Sequence, residues 1–346
     1  MGYGKELIIF FVFVAVISII LVFFYFSDNF FGDEETIPTC GDGTFYDKCS
    51  LDEPYYCVNG KLVEKSSVCG CPEGLVKSND GCISELNQNP RTATLNYVLR
   101  GEEKSFNLVA YDDAERYFSE LSRSITYEDG EIPFREDFKL KKINEEEQRH
   151  LLLPIVKQIQ NLANDKDDQV RIAISVVQNI PWGISDKKVQ FGNNQLDYSR
   201  YPYEVFYGSE GSCGEKSELL AFLLKELGFE VVIFYNQQEN HESVGIKCAS
   251  QETWHSSGYC FVETSGPSII TDNTLVYDNG VILSSQPDIL LISSGLFLKE
   301  DLYEYEDSKE LEGIRKRMAT GKLNFYDEWK YNNLREKYGL DGVYNL

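Results

Sequence analysis

Nine cysteines constrain this chain of 346 residues more than any other feature, because they are distributed very unevenly. Six of them fall in one short segment rich in Gly, Pro, Asp and Asn: Cys40, Cys49, Cys57, Cys69, Cys71 and Cys82. An even set of cysteines in such a segment is typical of a disulfide framework formed in an oxidising compartment. We therefore predict a small disulfide-rich module, and the spacing leaves its pairing open.

A structural zinc site is the alternative for these six cysteines. Such sites favour two Cys-x-x-Cys pairs. Here the closest spacing is Cys69-Gly70-Cys71, and no histidine is nearby. The segment therefore favours disulfides, and we expect no metal.

The other three cysteines divide into a pair and a single thiol. Cys248 and Cys260 flank a loop between two predicted strands and are expected to pair, which leaves Cys213 over. A free thiol is unusual in an oxidising environment, so Cys213 is the first candidate for a functional residue.

Residues 7–26 form an apolar stretch without a charged side chain. The length matches the ~20 residues that cross a bilayer as a helix, and a cleaved signal peptide is the alternative. Lys5 precedes the stretch and no basic residue follows until Lys48, which favours a cytoplasmic N-terminus. The sequence predicts a single-pass protein of the cell membrane with an extracytoplasmic C-terminal domain.

Charge and composition restrict the partners and the domain organisation. A net charge of −23 argues against a nucleic-acid partner, since phosphate binding needs an excess of Lys and Arg. Four regions are predicted: an N-terminal transmembrane anchor (1–30), a linker with the cysteine-rich module (31–91), a folded domain (92–300) and a charged, helical tail (301–346).

Cys213 lies at the predicted start of a helix. Ser212 and Glu215 have the spacing of a capping box, leucines recur on one face up to Leu227, and Gly228 ends the segment. The first turn of a helix has unpaired N–H groups and a positive dipole end, which favour a thiolate and could stabilise an oxyanion. Cys213 is thus either a nucleophile or a buried structural cysteine.

A thiol nucleophile needs a base, and the chain has three histidines. His241 begins a predicted strand, and the next strand carries Glu263 among apolar residues. A carboxylate there needs a partner, and orienting an imidazole is one way to supply it. We expect His255 to be solvated in its loop and His150 to be structural.

The strand register is the difficulty with a His241–Glu263 pair. A hairpin with Cys248 and Cys260 directly opposite each other would place Gly245 opposite Glu263. A bulge, or a loop that folds back, is then needed to form both pairs.

These residues resemble the transglutaminase-like superfamily, whose fold is related to that of papain-like cysteine peptidases. The matching elements are Gly211-Ser212-Cys213-Gly214 at a helix start, His241 at the opening of a strand, and Glu263-Thr264 on the next strand. Two departures are glutamate in place of aspartate and the lack of an aromatic residue after the histidine. The resemblance implies an archaeal-type, membrane-anchored member with an α+β fold. In that fold a catalytic helix packs on an antiparallel sheet, and in this chain we predict that one transmembrane helix and a small disulfide-rich module precede it.

For the site, the resemblance implies a cysteine hydrolase or acyltransferase that acts on amide or peptide bonds through Cys213, His241 and Glu263. Hydrolysis is favoured, and the backbone of Cys213 and Trp182 are weaker candidates for stabilising the oxyanion. The substrate would be a protein or peptide at the cell surface, and no cofactor or metal is implied. The alternatives are a non-catalytic surface module that binds a partner or an envelope polymer, and disulfide exchange by Cys213.

Overall fold

The computed structural model describes residues 12–22, 38–127, 132–191, 194–248, 253–275, 277, 281–299 and 302–340. The chain forms two compact units, Met1–Glu85 and Leu86–Leu346. Helices alternate with small antiparallel sheets, so the fold is mixed α and β.

The first unit is held together by three disulfides, Cys40–Cys57, Cys49–Cys69 and Cys71–Cys82. Residues 38–85 of this unit form two antiparallel hairpins and one helical turn: β1 (Tyr55–Val58), β2 (Lys61–Glu64), α1 (Ser66–Cys69), β3 (Leu75–Ser78) and β4 (Gly81–Ser84). Asn59 and Gly60 join β1 to β2, and both have positive φ, as a two-residue hairpin turn requires. Disulfides of this kind indicate an oxidising, extracellular-type environment.

The structure describes only part of the segment 7–26, over which a membrane helix is predicted. Residues 12–22 are helical, whereas residues 7–11 and 23–26 lie outside the described residues. Within the described ranges, no helix is long and apolar enough to cross a membrane. The predicted fold class, with its transmembrane helix, is therefore wrong, and the fold is mixed α and β with small antiparallel sheets.

The second unit opens with a long antiparallel hairpin of β5 (Pro90–Leu99) and β6 (Glu102–Tyr111). Arg100 and Gly101 form its turn with positive φ at both residues. Four helices follow: α2 (Asp112–Glu120), α3 (Arg135–Ile143), α4 (Glu146–Leu162) and α5 (Lys166–Gln178). The inward side chains of the hairpin and of α5 meet in the main hydrophobic core.

The remaining elements include the central helix and a four-stranded sheet. They are β7 (Lys188–Phe191), β8 (Asn194–Asp197), α6 (Pro202–Gly208), α7 (Cys213–Glu226), β9 (Val231–Asn236), β10 (His241–Lys247), a 3-10 turn (Trp254–Ser256), β11 (Tyr259–Val262), β12 (Asp288–Ser293), α8 (Tyr303–Ala319) and α9 (Phe325–Tyr338). The sheet is antiparallel, in the order β11-β10-β9-β12.

Helix α7 is buried on nearly all sides and packs against β9 and β10. Its leucines fill the main core, and its N-terminus carries a capping box in which Ser212 and Glu215 bond each other's backbone N–H groups. Gly228 follows the helix with a φ of 93°, a conformation that glycine adopts readily. This arrangement brings Cys213 to the end of the sheet where β10 begins.

The register of β10 and β11 explains how two side-chain pairs form without a bulge. Val244 lies opposite Val262 and Ile246 opposite Cys260, and the pairing is continuous between them. Cys248 therefore reaches Cys260 diagonally, with a Cα–Cα distance of 5.8 Å and a disulfide bond. The predicted need for a bulge or a refolded loop came from assuming that the two cysteines are directly opposite, and it was wrong.

The two C-terminal helices pack on the same unit. Leu302 and Tyr305 belong to the main core. Arg171 of α5 forms an ion pair with Glu304 of α8 at 2.5 Å. Residues 302–340 therefore contribute to the body of the second unit.

Candidate active site

Cys213 is the first residue of α7, and it is a free cysteine of intermediate exposure. The other eight cysteines form four disulfides, the fourth of which is Cys248–Cys260. The oxygen of Ser212 accepts from the N–H of Glu215, so the capping box fixes the first turn of the helix. The thiol therefore occupies a defined position at a helix N-terminus, where the dipole favours negative charge.

His241 lies between the thiol and a carboxylate. Its Nε2 atom is 2.9 Å from Oε2 of Glu263. The Cys213 thiol also interacts with the imidazole and raises the pKa of His241. The structure thus joins the three predicted site residues in the order Cys213, His241, Glu263.

The position of Glu263 follows from the end of β11. The strand ends at Val262, and the N–H groups of Thr264 and Ser265 point back at the carboxylate of Glu263. Oε1 of Glu263 accepts from the N–H of Thr264 at 2.9 Å, the N–H of Ser265 at 2.8 Å and Oγ of Ser265 at 2.7 Å. The side chain is fully buried, yet both of its oxygens have donors. A buried carboxylate is tolerated under these conditions.

The electrostatic environment favours the charged forms of both His241 and Glu263. Burial alone would raise the pKa of Glu263, but the charge of His241 and hydrogen bonds from His241, Tyr277 and Ser265 hold it below its usual range. Burial likewise opposes the charged form of His241, but the Glu263 carboxylate and the Cys213 thiol raise the pKa of the imidazole above its usual value. The site therefore favours an imidazolium next to the thiol.

Tyr277 is a site residue that the sequence did not predict. Its hydroxyl donates a short hydrogen bond to Oε2 of Glu263 and lies 3.2 Å from Nε2 of His241. Its ring packs against the imidazole with a centroid distance of 4.7 Å. Tyr277 lies in a stretch without helical or strand periodicity, so no sequence pattern placed it near the histidine.

Thr264 connects the acid to the nucleophile through the backbone. Its hydroxyl donates to the carbonyl of Cys213 at 3.2 Å and lies 2.8 Å from Oγ of Ser217. The first turn of α7 is therefore tied directly to the residue that follows Glu263. This contact limits any sliding of the helix relative to β11.

A buried network of charges lies on the other side of the helix N-terminus. Glu218 of α7 pairs with Lys139 at 2.5 Å and Lys142 at 2.7 Å, both from α3. Glu242, next to His241, pairs with Lys139 at 2.8 Å and with Arg135. Burial lowers the pKa of Lys139 to about 8, although Glu218 acts in the opposite direction. The network fixes α3 against both elements that carry the site.

Trp182 lies beside the nucleophile through its backbone. It forms a parallel bridge with Gly211, two residues before Cys213, and its side chain is 58% exposed. The participation of Trp182 and of the backbone N–H of Cys213 in stabilising an oxyanion stays a prediction.

The other two histidines lie away from this arrangement. His150 contacts Asn87, with 3.3 Å between Nε2 and Oδ1. His255 packs on Trp254 with ring centroids 5.0 Å apart. Among the described residues, no group of three or more His, Cys, Asp or Glu could hold a metal ion.

Comparison with protein-family models finds no match for this chain, and comparison with curated proteins finds none either. The interpretation of the site therefore depends on its geometry and chemistry, and the resemblance to the transglutaminase-like superfamily stays a prediction.

Proposed function

We propose that this protein is an extracytoplasmic cysteine enzyme that cleaves amide or peptide bonds by acyl transfer to Cys213. The observation that carries the proposal is the hydrogen bond of His241 to Glu263 together with the interaction of His241 with Cys213, the first residue of a helix. A nucleophile, a base within hydrogen-bond reach and a third group that orients the base together constitute the usual machinery of covalent acyl transfer.

In the acylation step, His241 holds the proton of the Cys213 thiol, and the sulfur of Cys213 attacks the carbonyl carbon of the substrate. The carbonyl oxygen becomes an oxyanion near the N-terminal N–H groups of α7. As the C–N bond breaks, His241 donates its proton to the departing amine. A thioester on Cys213 and a free amine result.

In the second step, His241 accepts a proton from water as the water attacks the thioester. The proton returns to the sulfur as the C–S bond breaks, which releases a carboxylic acid. Glu263 remains ionised throughout, and it orients the imidazole and stabilises its charged form. An amine in place of water would give transfer, and we propose hydrolysis as the main outcome.

The proposed substrate is a protein or peptide outside the cytoplasm. The four disulfides support this location, because such bonds persist in oxidising compartments. The transglutaminase-like resemblance supports an amide bond as the target.

A library of short peptides with a thiol-reactive vinyl sulfone group tests the proposal. We expect one covalent addition at Cys213 in the native chain, none in Cys213→Ala, and labelling about 100-fold slower in His241→Ala. The matched control is His255→Ala, which should label at the native rate. Absence of labelling at Cys213, or equal rates in native protein and His241→Ala, would contradict the proposal and favour a non-catalytic binding module.

A further inference from the structure

Lys216 is a buried lysine one helical turn after Cys213. Its side chain has no solvent exposure. Its Nζ atom donates to three backbone carbonyls, at 2.5 Å to Ile180, 2.9 Å to Ser265 and 3.3 Å to Gln178. All three N–H bonds of the ammonium are therefore used.

One of the segments bound by Lys216 borders the nucleophile directly. The residues that follow Ile180 pair with Gly211 through two backbone hydrogen bonds. The N–H of Gly211 donates to the carbonyl of Pro181 at 3.2 Å, and the N–H of Gly183 donates to the carbonyl of Gly211 at 3.1 Å. The stem of Lys216 also packs on Gly211, where an added Cβ would lie 3.1 Å from its Cγ. Lys216 thus supports the backbone immediately before the helix.

The other segment holds the acid of the site. Ser265, whose carbonyl accepts from Lys216, donates through its N–H and its hydroxyl to Glu263. The side chain of Gln178 reinforces this contact by donating to the carbonyl of Glu263 at 2.9 Å. One ammonium on the helix of Cys213 therefore links the backbone that pairs with Gly211 to the turn that fixes the carboxylate.

The charge of Lys216 matters as well as its hydrogen bonds. When Cys213 gives its proton to His241, the thiolate and Glu263 are both negative and only the imidazolium is positive. Burial lowers the pKa of Lys216 to about 7, while the negative charges of Glu263 and Cys213 act in the opposite direction. Glu263 and Cys213 are the charged groups that influence the pKa of Lys216. The hydrogen-bond partners of its ammonium are the three backbone carbonyls named above.

We propose that Lys216 is a positioning residue and the counter-charge of the site. Its ammonium holds the segments on both sides of Cys213 and balances the second negative charge that appears when the thiolate forms. This inference rests on the proposed function, because it concerns the ionised state of the same thiol.

The pH dependence of alkylation of Cys213 by iodoacetamide tests the inference. In Lys216→Met, we expect the midpoint of the profile to move to higher pH by about one unit or more, because a nearby positive charge is lost. The matched control is Arg171→Met, which removes a buried cation that pairs with Glu304 and Asp168. Its profile should coincide with that of the native protein, and a Lys216→Met profile that also coincides would overturn the inference.

A second measurement is made on the native protein, so it tests the inference even if Lys216→Met does not fold. Nuclear magnetic resonance of isotope-labelled lysine side chains follows the titration of Lys216 before and after Cys213 is alkylated. We expect its midpoint to fall on alkylation, because the negative sulfur is removed, while that of Lys139 stays unchanged. An unchanged Lys216 midpoint would overturn the inference. Failure of the proposed function is distinguishable, since His241→Ala would then have the same alkylation profile as the native protein.

Discussion

At the scale of single residues, the site depends on how Glu263 acts on His241. Replacement of Glu263 by Gln keeps the shape of the side chain and removes the charge. We expect the pKa of His241 to fall toward the ordinary value of histidine, because the carboxylate is what raises it most. The titration of the imidazole carbon-bound proton, followed by nuclear magnetic resonance, measures this. An unchanged His241 titration in Glu263→Gln would contradict the assignment.

The same pair predicts a pH dependence of folding stability. The pKa of His241 is raised in the folded protein, so its contribution to stability is complete below the pKa of about 6.5 in an unfolded chain and is lost as pH rises through the raised value. The pKa of Glu263 is lowered, so its contribution is present above its unfolded value and is lost as pH falls. Chemical denaturation across pH measures the free energy of unfolding of native protein and of His241→Ala. The difference between the two free energies should shrink at both extremes of pH, and a difference that stays constant would contradict the prediction.

Tyr277→Phe removes a hydroxyl and leaves the ring that packs on His241. The variant should fold and should react with the peptide vinyl sulfones about tenfold more slowly, because a hydrogen bond to a charged group is lost. Tyr259→Phe is the control, since that hydroxyl binds Glu230 at 2.8 Å and lies outside the site. A native reaction rate in Tyr277→Phe would show that the tyrosine only fills space.

At the scale of secondary-structure elements, Gly214 allows α7 to approach β10. A Cβ on this residue would clash with Oε2 of Glu242, so Gly214→Ala must displace the carboxylate from its lysine and arginine partners. Alanine usually stabilises a helix by about 1 kcal/mol relative to glycine, but here we expect a loss of about 1–3 kcal/mol in the free energy of unfolding. Gly208→Ala is the control, because that site has open space, and equal effects of the two changes in chemical denaturation would contradict the prediction.

The elements that the sequence predicted well carry local signals. The capping box and leucine spacing placed the start of α7 at Cys213, and the structure begins the helix there. The buried carboxylate placed Glu263 beside His241 because a charge in apolar surroundings needs a partner.

The elements that sequence reasoning missed depend on contacts between distant parts of the chain. Helix α3 is rich in charged residues and has no clear apolar periodicity. Its Lys139 pairs with Glu218, which lies 79 residues later in the chain, so only the folded structure brings the two together. The register of β10 and β11 was mispredicted because a diagonal pair has no distinct spacing in sequence. The membrane helix was predicted from hydropathy and length alone.

At the scale of the whole molecule, the cysteines divide into four bonds and one thiol. Denatured but unreduced protein should therefore gain one carbamidomethyl group per chain, at Cys213, and reduced protein should gain nine. Intact-mass spectrometry with peptide mapping counts them. More than one group without reduction would contradict the disulfide assignment.

The central claim, that His241 activates Cys213 as a nucleophile, is tested most directly by the rate of iodoacetamide alkylation in the native fold at about pH 5.5, below the ordinary titration range of a thiol. We predict that native Cys213 reacts at least about tenfold faster than Cys213 in His241→Ala. Equal rates in the two proteins, or an unreactive thiol in the folded native chain, would contradict the account.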